Sequence, residues 1–158
     1  KVAISAGGVT PLIEASKQRF NGFEREMYSR GLRFAFLCDL TMNIESKGKR
    51  DSDLIVRKLF QTYRLRSDRT DGNEAVVRLL NEYAELRPLV QHYVFGDRSP
   101  AVMQSNEIET ILENAGLELS IASGTQKLSV KPKLSSRQKA ILDNLGYNSW
   151  RKLVKDSK

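Results

Sequence analysis

Along most of the chain the apolar side chains return every three to four residues, the spacing that puts them on one face of a helix. Between Lys47 and Arg69 the apolar set is Leu54, Ile55, Leu59, Phe60 and Tyr63, while Arg57, Lys58, Gln61 and Arg64 fall largely outside that stripe. This segment is expected to hold its apolar face to a core and turn positive charge outward. Asp51 or Ser52 is placed to cap it, and Asp53 suits the positive end of the helix dipole. The helix is expected to stop near Leu65, where Arg66 to Gly72 opens a loop.

Residues 1–9 show little periodicity and predict an arm or short edge strand. Thr10-Pro11 reads as an N-cap followed by a first helical residue, because proline has no N–H to lose there. A helix to Phe20 follows, broken at Asn21-Gly22. Phe23, Met27 and Leu32 carry the pattern on, with Arg25, Arg30 and Arg33 on the other side. The nearly continuous apolar run from Leu32 to Leu40 predicts the most buried helix, with a buried strand as the alternative.

Past the loop, Asp71 or Asn73 opens a helix whose apolar side is Val76, Val77, Leu80, Tyr83 and Ala84. Pro88 disfavours a helical Arg87 and predicts an end or bend there. Leu89, Val90, Tyr93, Val94 and Phe95 make a short apolar piece closed by Gly96, and Ser99-Pro100 repeats the cap-plus-proline signal. Ile108, Ile111, Leu112 and Ala115 define a compact helix over about 106–115, stopped by Gly116.

The period then falls to two. Leu117, Leu119 and Ile121, then Leu128 and Val130, alternate about Ser123-Gly124, a hairpin signature. Two strands are marginal alone, so the hairpin is expected to lie on helices. After Lys131-Pro132-Lys133, Ser135 or Ser136 caps a helix with Ala140, Ile141 and Leu145, ended by Gly146. Asn148 or Ser149 caps a last turn or two with Trp150, Leu153 and Val154. The expected fold is mainly α, a bundle of about five to seven short helices with one β-hairpin near the C-terminal third. Residues 1–131 form the helical core with hairpin 117–130, and residues 132–158 form a small basic helical hairpin packed on it.

Composition adds bounds. A chain of 158 residues that is 40% apolar has the material for one core. The single cysteine, Cys38, lies in an apolar run and has no internal partner, which leans towards a buried thiol and a reducing, intracellular setting. No apolar stretch approaches the length of a membrane span, so a soluble protein without membrane association is expected. The chain opens on Lys1 instead of Met, which predicts a processed chain or a piece of a longer one.

Charge changes the picture more. The net +7 is divided unevenly: residues 47–69 hold eight basic and three acidic groups, residues 70–126 three and nine, and residues 127–158 nine and two. Two basic blocks about an acidic one point to an anionic partner, nucleic acid first, because clustered Lys and Arg release counterions from phosphates. The expected function is a non-catalytic nucleic-acid-binding module, with RNA or single strands ahead of duplex DNA. Lys49, Arg50, Arg57, Lys58, Arg64 and Arg66 form one expected contact zone. Lys133, Arg137, Lys139, Trp150, Arg151 and Lys152 form the second, Trp150 offering an aromatic face to bases. The order helix 106–115 then hairpin is that of a winged helix, but Glu107, Glu109 and Glu113 have the wrong sign for phosphates. The alternative is a protein-interaction or assembly subunit, a homo-oligomer included, in which the acidic block of one molecule meets the basic blocks of another.

Catalytic motifs are scarce. One histidine and one cysteine leave no zinc site of ordinary composition, and no phosphate loop, dinucleotide fingerprint or nucleophile elbow is present. No metal or cofactor is expected, and the Asp51/Asp53 pair is short of ligands. Arg87-Pro-Leu-Val-Gln-His92 resembles the Arg-x4–6-His signature of the HEPN family, all-helical domains many of which are metal-free ribonucleases. The resemblance implies Arg87 on the scissile phosphate and His92 as acid or base, with two chains pairing their motifs. Pro88 stands where that family usually has a polar residue.

Overall fold

The structure, a computed structural model, describes residues 10–64, 71–103, 106–122 and 125–145. Its fold is mainly α with one two-stranded antiparallel hairpin in the C-terminal third. The order is α1 (Leu12–Lys17), α2 (Glu24–Glu45), α3 (Ser52–Tyr63), α4 (Gly72–Asn81), a 3-10 turn (Ala84–Leu86), α5 (Arg87–Leu89) running into a wider turn (Val90–Val94), α6 (Glu107–Asn114), β1 (Leu117–Ala122), β2 (Thr125–Val130) and α7 (Ser136–Asn144).

Helix α2 is the axis. Its 22 residues span about 33 Å, and from Leu37 to Ile44 only Asp39 escapes burial. Leu37, Cys38 and Met42 meet Ile55 of α3, Leu79 and Leu80 of α4, then Tyr83, Leu86, Leu89, Val90, Val94 and Met103. Leu40 and Ile44 meet a second cluster, Leu112 and Ala115, Leu117 of β1, and Ile141 and Leu142 of α7. Burial, helped by the negative charge of Asp39, pushes the Cys38 thiol up to about 12. The 32–40 run is helix throughout, so the strand alternative falls. Leu32 itself is 74% exposed, so the buried part begins later than the apolar run does.

Several local expectations are corrected. Pro11 is the N-cap of α1 in place of Thr10, and α1 stops at Lys17. The break at Asn21-Gly22 is real, with Gly22 at φ +90°. Asp51 occupies the N-cap of α3, yet its side chain caps nothing; the Ser52 N–H donates to Asp39 Oδ1 at 2.7 Å instead. Phe60 is 60% exposed, because α3 buries the line through Ile55 and Leu59 and Phe60 lies beyond its edge. Asp71 caps α4 through the Asn73 N–H. That helix buries Ala75, Leu79 and Leu80 and leaves Val76 exposed; it ends at Asn81, so Tyr83 and Ala84, expected on its apolar side, lie beyond it, Tyr83 buried and Ala84 exposed in the following 3-10 turn.

The break expected at Pro88 comes earlier. Tyr83 is extended (φ −98°, ψ 110°), Arg87 is helical, and Pro88 sits in the first turn of a new helical piece, where its missing donor costs nothing. Ser99-Pro100 yields a single turn, the Ser99 carbonyl accepting from the N–H groups of Val102 and Met103.

In the hairpin Leu117 pairs with Val130 and Leu119 with Leu128; the turn at Ser123-Gly124 lies outside the described residues. Its base is packed, with Leu117 buried beside Leu112 and Ile141. Leu119 and Leu128 are 41% and 44% exposed, so among the described side chains of the hairpin the burial is at its root, the side chain of Ile121 lying outside the described ones. A capping box between Ser135 and Gln138 starts α7. The stop at Gly146 and the last turn with Trp150, Leu153 and Val154 lie outside the described residues. No described helix is long and apolar enough to cross a membrane.

Candidate nucleic-acid interface

The basic stretch begins where α2 ends. Ser46 Oγ accepts the N–H groups of Lys49 and Arg50 at 3.1 and 2.8 Å, and the Gly48 N–H reaches the Asn43 carbonyl at 2.7 Å. Lys47 and Gly48 are both left-handed, at φ 56° and 81°. A side chain at residue 48 would meet Asn144 Nδ2 at 2.6 Å, and that amide donates to the Gly48 carbonyl at 3.2 Å. Helix α7 is thereby seated on the loop. Arg137 Nη2 donates to the Ile44 carbonyl at 2.8 Å, a cation on the negative end of α2. Lys47, Gly48, Arg137, Ala140, Ile141 and Asn144 line a concavity of about 320 Å³. Residues of the two basic blocks meet there, and no carboxylate is among its described walls.

Helix α3 carries the second arrangement. Arg57, Phe60, Gln61 and Arg64 stand at i, i+3, i+4 and i+7, all exposed, on its outer side. The Arg64 guanidinium lies 5.2 Å from the centre of the Phe60 ring, and Arg57 Nε makes a long 3.4 Å bond to the Asp53 carbonyl. Beyond Asp53 no acidic residue follows up to Arg64.

Other basic side chains are paired with carboxylates of the same chain at the surface. Arg50 Nη2 lies 2.7 Å from Glu85 Oε1, and its guanidinium sits 5.7 Å from the Tyr83 ring centre. Lys58 Nζ is 3.0 Å from Glu82 Oε2 and 5.2 Å from the same ring. The Glu82 carboxylate holds its pKa above the usual lysine value. Lys131 reaches Glu113 at 3.4 Å. Part of the acidic block is therefore spent on cations of the same chain.

Of the residues expected to contact phosphates, Arg57 and Arg64 are brought together on α3. Arg137 is brought to the loop that holds Lys49, which is exposed. Lys139, two residues past Arg137, lies about 200° round α7 and faces away from the concavity. Lys133 is exposed ahead of α7. Arg66, Trp150, Arg151 and Lys152 lie outside the described residues. The expectation missed Lys47, Asn144 and Phe60. Lys47-Gly48 directly after a helix carried a signal, since that pair marks a left-handed stop.

Arg87 and His92 share one short helical stretch. Arg87 is exposed and donates through Nε to the Asn81 carbonyl at 3.1 Å. His92 is half-buried with its ring edge-on to Tyr93 at 5.0 Å. Burial first, then the charge of Arg98, lowers its pKa, which favours the neutral imidazole. Among the described residues no cluster of three or more His, Cys, Asp and Glu is disposed to hold a metal. In comparison with known protein families, curated proteins and solved structures, nothing matches this chain.

Proposed function

We propose that the protein binds nucleic acid, single strands ahead of duplex, through the outer face of α3, with the concavity between the 46–50 loop and α7 as a second phosphate contact. The observation that carries this reading is Phe60, exposed on α3 between Arg57 and Arg64. A flat ring flanked by cations offers what an unpaired base needs, a stacking surface beside phosphate neutralisation. Lys47 and Arg137 give the concavity two cations for a second phosphate. Contacts of this kind dock the backbone with little sequence readout.

Fluorescence anisotropy with labelled oligouridylate and a DNA duplex, each at two salt concentrations, tests this. The single strand is expected to bind more tightly, and affinity to fall steeply as salt rises. Phe60→Ala is expected to weaken it by about tenfold or more, the scale of one lost stacking contact, with unchanged helicity because the ring is exposed. No binding, or binding indifferent to salt and to Phe60, would overturn the proposal. Cleavage of the RNA, lost in His92→Ala, would move the assignment to the HEPN-like nuclease.

A further inference from the structure

On a face the proposed interface does not use, α1, α2 and α4 leave an apolar groove of about 500 Å³ between them. Leu12, Ile13, Met27, Val76, Val77 and Leu80 are among its walls. Along its rim on α2 stand Tyr28 and Leu32, 69% and 74% exposed, at i and i+4. Beside that ridge run Gly31 and Ala35, again at i and i+4, which line the groove itself. Gly31 has no local reason to be glycine. It lies inside a 22-residue helix, and a Cβ added there would find no atom of the chain within 4 Å. Glycine in that position weakens a helix relative to alanine. Its advantage is that another backbone can come close.

We infer that this groove is where a second copy of the chain docks, α2 against α2 about a two-fold axis. Ridge and hollow lie side by side on the same helix, so each copy supplies both halves of the contact, the condition for an isologous interface. Tyr28 of one copy enters the hollow over Gly31 of the other, and the reverse. The area is of the right order as well. Tyr28 and Leu32 alone expose on the order of 300 Å², the apolar centre of an interface that needs about 800 Å² from each partner. The contact is apolar and does not depend on pairing the acidic block with the basic ones.

Sedimentation velocity on the full chain from micromolar to millimolar concentration tests it. A monomer–dimer equilibrium is expected. Leu32→Glu and Gly31→Leu are each expected to raise the dissociation constant by about tenfold or more. Circular dichroism should be unchanged in both, since residue 32 is exposed and residue 31 has open space around it. Val56→Glu, at an apolar position on α3 that is also largely exposed, is the control and should leave the dimer intact. A wild-type chain that stays monomeric at millimolar concentration overturns the inference, including one whose groove takes up a hydrophobic dye instead. A dimer broken by Val56→Glu and indifferent to Leu32→Glu and Gly31→Leu overturns it too.

Discussion

Asp39 lies within the buried stretch of α2, near its start, yet its carboxylate serves another helix. By accepting the Ser52 N–H at 2.7 Å it satisfies one of the orphan donors at the start of α3. Losing such a cap costs about 1–2 kcal/mol. Asp39→Ala is therefore expected to lower stability to urea by roughly that amount, whereas Asp51→Ala, whose side chain caps nothing, should stay within about 0.5 kcal/mol of the parent. Equal losses in the two variants would refute the assignment. The position of the cap was legible in the sequence, since Asp51-Ser-Asp before an apolar stripe marks a helix start. The group that does the capping was not, because it arrives from 13 residues away. Phe60 shows the same limit. An apolar stripe predicts a face some 100° wide, and only the packing of α3 decides which edge residue is left outside.

At the scale of elements, punctuation was more legible than extent. Gly116 after α6, Gly96 after the 90–94 turn and Gly22 within the kink all adopt positive φ. Their surroundings differ. A Cβ at residue 116 would meet Leu134 Cδ2 at 2.5 Å and Gln138 Cβ at 3.1 Å, whereas one at residue 22 would meet nothing within 4 Å. Gly22→Ala is expected to cost about 1–2 kcal/mol from backbone conformation alone. Gly116→Ala adds overpacking of about 1–3 kcal/mol and should lower the thermal midpoint clearly further. A Gly116 variant no worse than the Gly22 variant would mean that α7 yields readily at that joint. The hairpin was legible because the period changed to two. Its partial burial was not, since Leu119 and Leu128 alternate just as Leu117 and Val130 do and yet stand exposed. Pro88 was misplaced as a stop because the backbone had already broken at Tyr83, which made proline the start of the next turn.

Taken whole, the molecule threads one helix through two apolar clusters and sorts its cations into two kinds. Block charges summed along the sequence cannot separate them, because a lysine counts the same whether it meets a glutamate or water. In three dimensions Lys58 is matched by Glu82, while Arg57 and Arg64 on the same helix face outward and, among the described residues, meet a backbone carbonyl and a ring. Removing the matched pair together, as Lys58→Gln with Glu82→Gln, leaves net charge unchanged and should leave both affinity and salt dependence for single-stranded RNA where they were. Removing Arg57 and Arg64 together, each to Gln, should reduce the slope of log affinity against log salt by about 1.4, two phosphate contacts at roughly 0.7 each. Both pairs of changes fall on or beside exposed parts of α3, so neither should disturb helicity. Should the two double variants shift the slope equally, affinity would depend on total charge alone, and the outer face of α3 would lose its claim to be the docking surface.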